Sequence, residues 1–140
     1  MKTEIASLRS EIEDSRPGLG EIMSVIQQHH AKLYYAGREE NWGLASYELD
    51  EIKEGLEDAS KAHHEFKESI ISLKELVPAM TNAGIAKLSE AIVRKNKIEF
   101  TKQFQGLTVS CNSCHQAAEH PFIVIQIPTQ PEFKNQKFNK

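Results

Sequence analysis

The sequence is poor in the residues that mark several large classes of protein. It has no run of about 18 apolar residues, so we expect no membrane span. Its 17 basic residues do not exceed its 20 acidic ones, and with a net charge of −3 and no basic stripe we expect no nucleic acid as a partner. Aromatic residues make up only 7%, with one tryptophan, and only two residues are cysteines. A length of 140 residues predicts one domain, 1–140.

Both cysteines belong to one short motif, Cys111-Asn112-Ser113-Cys114-His115. The spacing Cys-x-x-Cys-His is typical of the covalent attachment of a c-type haem. The thiols of Cys111 and Cys114 would add across the haem vinyl groups to form thioethers, and His115 would be the proximal ligand of the iron. We therefore expect one covalent haem c. We predict no catalytic residue and no enzyme activity.

Other uses of a Cys-x-x-Cys pair fit the sequence less well. A redox dithiol normally follows a strand in a βαβ unit, and no such pattern precedes this one. A structural zinc ion needs four ligands, but there is no second cysteine pair, and His63 and His64 are adjacent rather than spaced. A chance pair of buried thiols would leave the position of His115 unexplained.

Apolar residues at helical spacing predict four long helices. The first spans 18–36, with Gly37 as its stop. The second begins after an N-cap at Asn41 and continues through 59 or further, toward Leu76. Pro78 marks its boundary with the third helix, which spans 79–95. The fourth spans 97–118 and opens on a capping box formed by Asn96 and Glu99. The second helix is amphipathic. Its inner face is apolar and consists of Leu44, Tyr47, Leu49, Ile52, Leu56 and Ala59. Its outer face is acidic and consists of Glu39, Glu40, Glu48, Asp50, Glu51, Glu54, Glu57 and Asp58.

Four amphipathic helices with short links predict an all-α fold, an antiparallel four-helix bundle. Residues 1–17 form an N-terminal extension with a short helix over 3–15, and residues 120–140 form an extended C-terminal tail. The tail contains a strand-like apolar run at 122–127. We expect this run either to lie over the end of the bundle and shield one haem edge, or to be an ordinary packed tail.

A four-helix bundle with Cys-x-x-Cys-His on its last helix resembles the class II c-type cytochromes, the group of cytochrome c′ and its low-spin, methionine-ligated relatives. The resemblance covers about residues 18–118. The stretch 29–37, with Asn41 and Trp42 after it, also resembles a branch of small bacterial haem proteins. Two features differ from the class II pattern: Glu119 stands where a basic residue is common, and the chain continues for 25 residues past His115.

The sixth ligand of the iron decides between two functions. The fourth helix of such a bundle ends beside the start of the first, and at about 1.5 Å per residue Met23 lies at the height of the haem motif. We therefore predict Met23 as the distal ligand. Alternatives are His63 or His64, Met80, His29 or His30, and an open site.

With Met23 bound, the resemblance implies a monohaem one-electron carrier that exchanges electrons with redox partner proteins through its acidic second helix or an exposed haem edge. With an open site it implies a five-coordinate, cytochrome c′-like protein that binds nitric oxide or carbon monoxide, in a pocket shaped by residues such as Leu19, Ile22, Ile26 or Phe66. The group also includes proteins that pair through their first two helices, so a homodimer is compatible with the resemblance.

The cellular location follows from the motif. The first four residues, Met1 to Glu4, precede no apolar signal region. A c-type haem is nevertheless attached outside the bacterial inner membrane, so we expect a periplasmic protein whose secretion signal has been removed.

Overall fold

Four helices account for most of the chain in a computed structural model, which describes residues 5, 7, 18–61, 72–130 and 132–140. The helices are α1 (Leu19–Arg38), α2 (Trp42–Lys61), α3 (Leu73–Val93) and α4 (Lys97–Ala117), and no strand forms in these ranges. Each helix packs closely against the next, whereas α1 and α4 touch much less. The predicted all-α, four-helix bundle is confirmed. The predicted helix over 3–15 lies outside the described residues, apart from Ile5 and Ser7.

Two of the predicted helix starts are confirmed by their capping hydrogen bonds. The side-chain oxygen of Asn41 accepts from the main-chain N–H of Leu44 at 3.3 Å, and that of Asn96 accepts from the N–H of Glu99 at 3.1 Å. These bonds satisfy N–H groups that have no partner inside the helix. The capping box at α4 is only half formed, because the Glu99 carboxylate accepts from Gln103 at 3.4 Å.

Three helices end on a charged residue in the left-handed conformation. Glu40, Lys95 and Glu119 have φ angles of 56°, 55° and 62° and follow α1, α3 and α4. The hydrogen bonds around them are those of a Schellman motif; after α4, for example, the N–H of His120 donates to the carbonyl of His115 at 2.7 Å. Glycine is the usual residue at this position, which is why the sequence gives little sign of where α1 ends.

Gly37 does not stop α1, contrary to our prediction. The helix continues to Arg38, and Gly37 is buried within its last turn. A Cβ atom at this position would lie 2.1 Å from two ring carbons of Phe100 on α4. The glycine is therefore explained by the close approach of a phenyl ring and not by a turn.

The predicted boundary at Pro78 is also wrong. α3 begins at Leu73, after Ser72 in an extended conformation, and Pro78 lies inside it. Leu76, which we had assigned to the second helix, belongs to α3. A proline within a helix removes one main-chain hydrogen bond, and the burial of Leu73, Leu76 and Val77 in the turns before it offsets that loss.

Two neighbouring residues of α2 exchange the faces that their polarity suggested. Tyr47, predicted on the inner face, is 56% exposed, whereas Glu48, predicted on the acidic outer face, is 2% exposed. Helical spacing accounts for both, because Glu48 lies three residues after buried Ala45 and four before buried Ile52. On α4, the apolar residues Ile98 and Val109 are exposed.

The C-terminal tail lies along the seam between α1 and α4. We call residues 121–130 and 132–140 the strap. From the end of α4 it passes α1, where the Tyr35 hydroxyl donates to the carbonyl of Gln130, and reaches the turn between α1 and α2, where Asn41 donates to the carbonyl of Phe138 at 3.1 Å. It therefore runs along the bundle from the end of α4 to the turn between α1 and α2.

The same residue ranges contain no helix that is both long and apolar enough to cross a membrane.

Candidate functional site

A cavity of about 340 Å³ lies where α1 and α4 are held apart, near the start of α1 and the end of α4. Side chains of all four helices and of the strap line it, and the exposed part of this lining is mainly apolar. Those that matter for the site are Met23 and His30 on α1, Thr81 on α3, Cys111, Cys114 and His115 on α4, and Ile123 and Ile125 on the strap.

The Cys-x-x-Cys-His motif forms one wall of this cavity. Cys111, Cys114 and His115 are spaced three and four residues apart in the last turns of α4, so a single helical face carries all three. Cys114 is buried and Cys111 is half-buried, and both are free thiols. The helix therefore presents two thiols and an imidazole together to one enclosed space.

The environment of the thiols is unlike that of a redox dithiol. Burial, with a smaller effect of Cys114, raises the pKa of Cys111 to about 11, and burial also raises the pKa of Cys114. Catalytic and redox cysteines instead have lowered pKa values, because the thiolate is the reactive form. Both thiols are therefore protonated at neutral pH, which argues against disulfide exchange as their use.

A metal ion held by side chains alone also finds no support. Across the ranges that the structure describes, no group of three or more His, Cys, Asp or Glu residues is placed to bind one. A haem is a different case, since its porphyrin supplies four nitrogen ligands and the protein need supply only axial ones.

The imidazole of His115 has a defined tautomer. Its Nδ1 lies 2.9 Å from the main-chain carbonyl oxygen of Ile123 on the strap. A carbonyl oxygen can only accept, so Nδ1 carries a hydrogen, and in the neutral ring the lone pair is on Nε2. This is the usual arrangement of a histidine that binds a metal through Nε2, in which the outer hydrogen bond fixes the ring and raises its basicity.

The candidates for the distal ligand differ in whether they line the cavity. Met23 is half-buried on the α1 wall, and His30 lies two helical turns further along the same wall. Met80 packs against the core but does not line the cavity, and His29 is bonded to Glu48 instead. His63 and His64 lie outside the described residues. Met23 stays a prediction, with His30 as the other candidate that reaches the same space.

His30 is held as a neutral base. The Thr108 hydroxyl already donates to the carbonyl of Phe104 at 2.9 Å, so at 2.8 Å it must accept from the Nε2–H of His30. The lone pair therefore lies on Nδ1. Burial lowers the pKa of His30 from 6.5 to about 4, which keeps the ring uncharged at neutral pH.

Sequence reasoning missed several polar contacts of the structure. Asn112, between the two cysteines, bonds to the strap at Ile125. Away from the cavity, His29 and the buried Glu48 join α1 to α2 at 2.6 Å. Helical spacing could have placed Glu48 inward, but nothing in the local sequence indicates which strap residue meets Asn112.

The cavity suits a largely apolar ligand. Its volume lies within the range of about 300–1,000 Å³ typical of small-molecule sites. Two thiols and an imidazole on one wall face a thioether on the other, which is the donor set of a His/Met haem c. Comparisons of the chain with protein-family models, with curated proteins and with solved structures each gave no match.

Proposed function

We propose that the chain is a monohaem c-type cytochrome that carries single electrons between partner proteins. The observation that carries the proposal is the shared cavity between α1 and α4, with Cys111, Cys114 and His115 on one wall and Met23 on the other. Met23 is far from the motif in sequence, and the packing of the bundle brings the start of α1 and the end of α4 to the same cavity.

Each of these side chains has a distinct role in the proposal. The sulfur atoms of Cys111 and Cys114 would hold the cofactor covalently, and Nε2 of His115 and the thioether of Met23 would be the protein's ligands to its iron. A bound haem c supplies one-electron redox chemistry, and a His/Met pair of ligands raises the reduction potential of its iron.

The protein's further contribution is a mainly apolar surrounding. Ile26, Leu107 and Val77 are buried around the cavity, and Ile125 of the strap covers its outer side. Solvent access and dielectric around a redox site affect its potential. Exclusion of water by these side chains would therefore help set the potential.

Partner proteins would approach at the strap. Phe122 and Val124 are 76% and 70% exposed, and they flank Ile123, which lines the cavity. The acidic face of α2 is less suitable, because α2 reaches the cavity only through the inward residues Ile52 and Leu56. We therefore favour docking at the cavity edge over the acidic face considered from the sequence.

A second candidate function is the binding of nitric oxide or carbon monoxide at an open iron site. Leu19 and Ile26 line the cavity on the same wall as Met23. They would form the apolar pocket around such a ligand. Ile22, named with them from the sequence, packs against the core but does not line the cavity.

One spectrum separates the two functions. The chain is expressed with a bacterial haem-attachment system in the periplasm, and its visible spectrum is recorded in the ferric and ferrous states. An electron carrier gives low-spin, six-coordinate haem in both states, with a weak red-edge band of sulfur ligation in the ferric form. High-spin, five-coordinate haem that takes up carbon monoxide would instead establish the second function.

A further inference from the structure

The amide of Asn112 makes two hydrogen bonds to one residue of the strap. Its Oδ1 accepts from the main-chain N–H of Ile125 at 2.7 Å, and its Nδ2 donates to the carbonyl of the same residue at 2.8 Å. Asparagine offers both a donor and an acceptor at the end of a short side chain. The bonds fix the position of Ile125 along α4, and haem attachment itself does not require this residue between the cysteines.

A second contact joins the same two segments beside the first. The carbonyl of Ile123, two residues before Ile125, accepts from Nδ1–H of His115. Asn112 and His115 are three residues apart on α4 and so share a helical face. Ile123 and Ile125 both line the cavity, as alternate residues of an extended segment can.

The path of the strap is therefore fixed on both sides of Ile123. On one side, the N–H of Ile123 donates to the carbonyl of His120 at 3.1 Å, in a turn that follows α4. On the other side the hydrogen bonds of Asn112 hold Ile125. Without Asn112, the carbonyl of Ile123 would be constrained from one side only.

We propose that Asn112 is a positioning residue: by holding Ile125 it keeps the carbonyl of Ile123 in place to accept from His115, and so fixes the tautomer and the basicity of the proximal ligand. The part concerning the iron rests on the proposed function. A hydrogen bond to Nδ1–H makes Nε2 a stronger donor, which favours ferric iron and lowers the reduction potential.

The first test uses the full-length chain without haem. The ¹⁵N chemical shifts of the His115 ring distinguish the two neutral tautomers, and hydrogen exchange reports on the Ile125 amide. We expect a single Nδ1–H form in the parent chain. In Asn112→Ala we expect a mixture of tautomers and faster exchange at Ile125, whereas Ser113→Ala, at the other position between the cysteines, should leave both unchanged.

The second test uses the haem-loaded protein. Asn112→Ala should have a more positive reduction potential than both the parent and Ser113→Ala, with low-spin ligation retained. A tenfold change in the ratio of the oxidised to the reduced form corresponds to about 59 mV for one electron.

Different results would contradict the two parts of the proposal. A single Nδ1–H tautomer that persists in Asn112→Ala would overturn the positioning role, and an unchanged potential would overturn its effect on the iron. If no haem can be attached at all, the proposed function fails, while the tautomer experiment still decides whether Asn112 positions the strap.

Discussion

The ring of Phe100 on α4 lies directly against the backbone of Gly37 on α1. A Cβ atom at Gly37 would be 2.1 Å from two carbons of that ring, and Phe100 is only 1% exposed. The ring also packs edge-on against Trp42 at 5.9 Å between centroids. This contact closes the bundle at the end opposite the cavity, so α1 and α4 meet here and separate towards the haem motif.

Replacing Gly37 with alanine should destabilise the protein. The ring is buried and packed against Trp42, and overpacking of a core costs about 1–3 kcal/mol. Urea unfolding measures the loss. Gly106→Ala is the matched control, because a Cβ there meets nothing within 4 Å and alanine favours the helix by about 1 kcal/mol. A stabilised Gly37→Ala variant would contradict the packing described.

Replacing Met23 with alanine should convert the haem from low-spin to high-spin. The change removes the one thioether that lines the cavity among the residues that the structure describes. Visible spectra of the ferric and ferrous forms report the change, and added imidazole should restore a low-spin spectrum. Met80→Ala serves as the control, since Met80 does not line the cavity. An unchanged spectrum in Met23→Ala would transfer the assignment to His30, or to His63 or His64.

Replacing His29 with alanine should lower the free energy of unfolding more than replacing any exposed charged residue of α2. Its ring is bonded at 2.6 Å to Glu48, whose side chain is 2% exposed. A buried charge left without its partner costs about 3–5 kcal/mol. Glu51→Ala is the control, because Glu51 lies 3.8 Å from the same ring and is 32% exposed. Double replacement of His29 and Glu48 by leucine should recover most of the loss; equal destabilisation by His29→Ala and Glu51→Ala would be inconsistent with a buried pair.

The neutral state of His30 predicts a loss of stability in acid. Its pKa is about 4 in the folded chain and 6.5 in the absence of burial, so the unfolded chain binds the proton more tightly. The contribution of His30 is complete above about pH 6.5 and is lost as the pH falls to 4. The shift corresponds to about 3 kcal/mol. The difference in unfolding free energy between the parent and His30→Gln, measured by urea at each pH, should narrow over this range; a constant difference would show that His30 is not buried as a neutral base.

Much of the fold was predictable because its helix signals are local. The N-caps at Asn41 and Asn96 fall where the sequence indicated. Of the apolar residues of α4, Phe100, Phe104 and Leu107 are buried, whereas Ile98 and Val109 are exposed. The start of α3 did not fall where the sequence indicated, since the helix-breaking tendency of Pro78 was weaker than the burial of Leu76 and Val77 just before it. Glu48 was misplaced for a similar reason, because polarity suggested the outer face while a partner on α1 allowed burial.

The candidate site was predictable in part. The Cys-x-x-Cys-His motif predicted Cys111, Cys114 and His115 as site residues. The lengths of two antiparallel helices predicted that Met23 would lie level with this motif. The contacts of the strap were not predictable, because they join α4 to a segment without regular structure, and neither hydrophobic spacing nor turn residues specify which carbonyl meets His115.

The central claim is tested most directly by the intact mass of the denatured, purified protein after expression with a haem-attachment system. The account predicts a chain heavier by one haem, with neither Cys111 nor Cys114 open to alkylation. A chain with the mass of the polypeptide alone, and with both thiols alkylated, would contradict it.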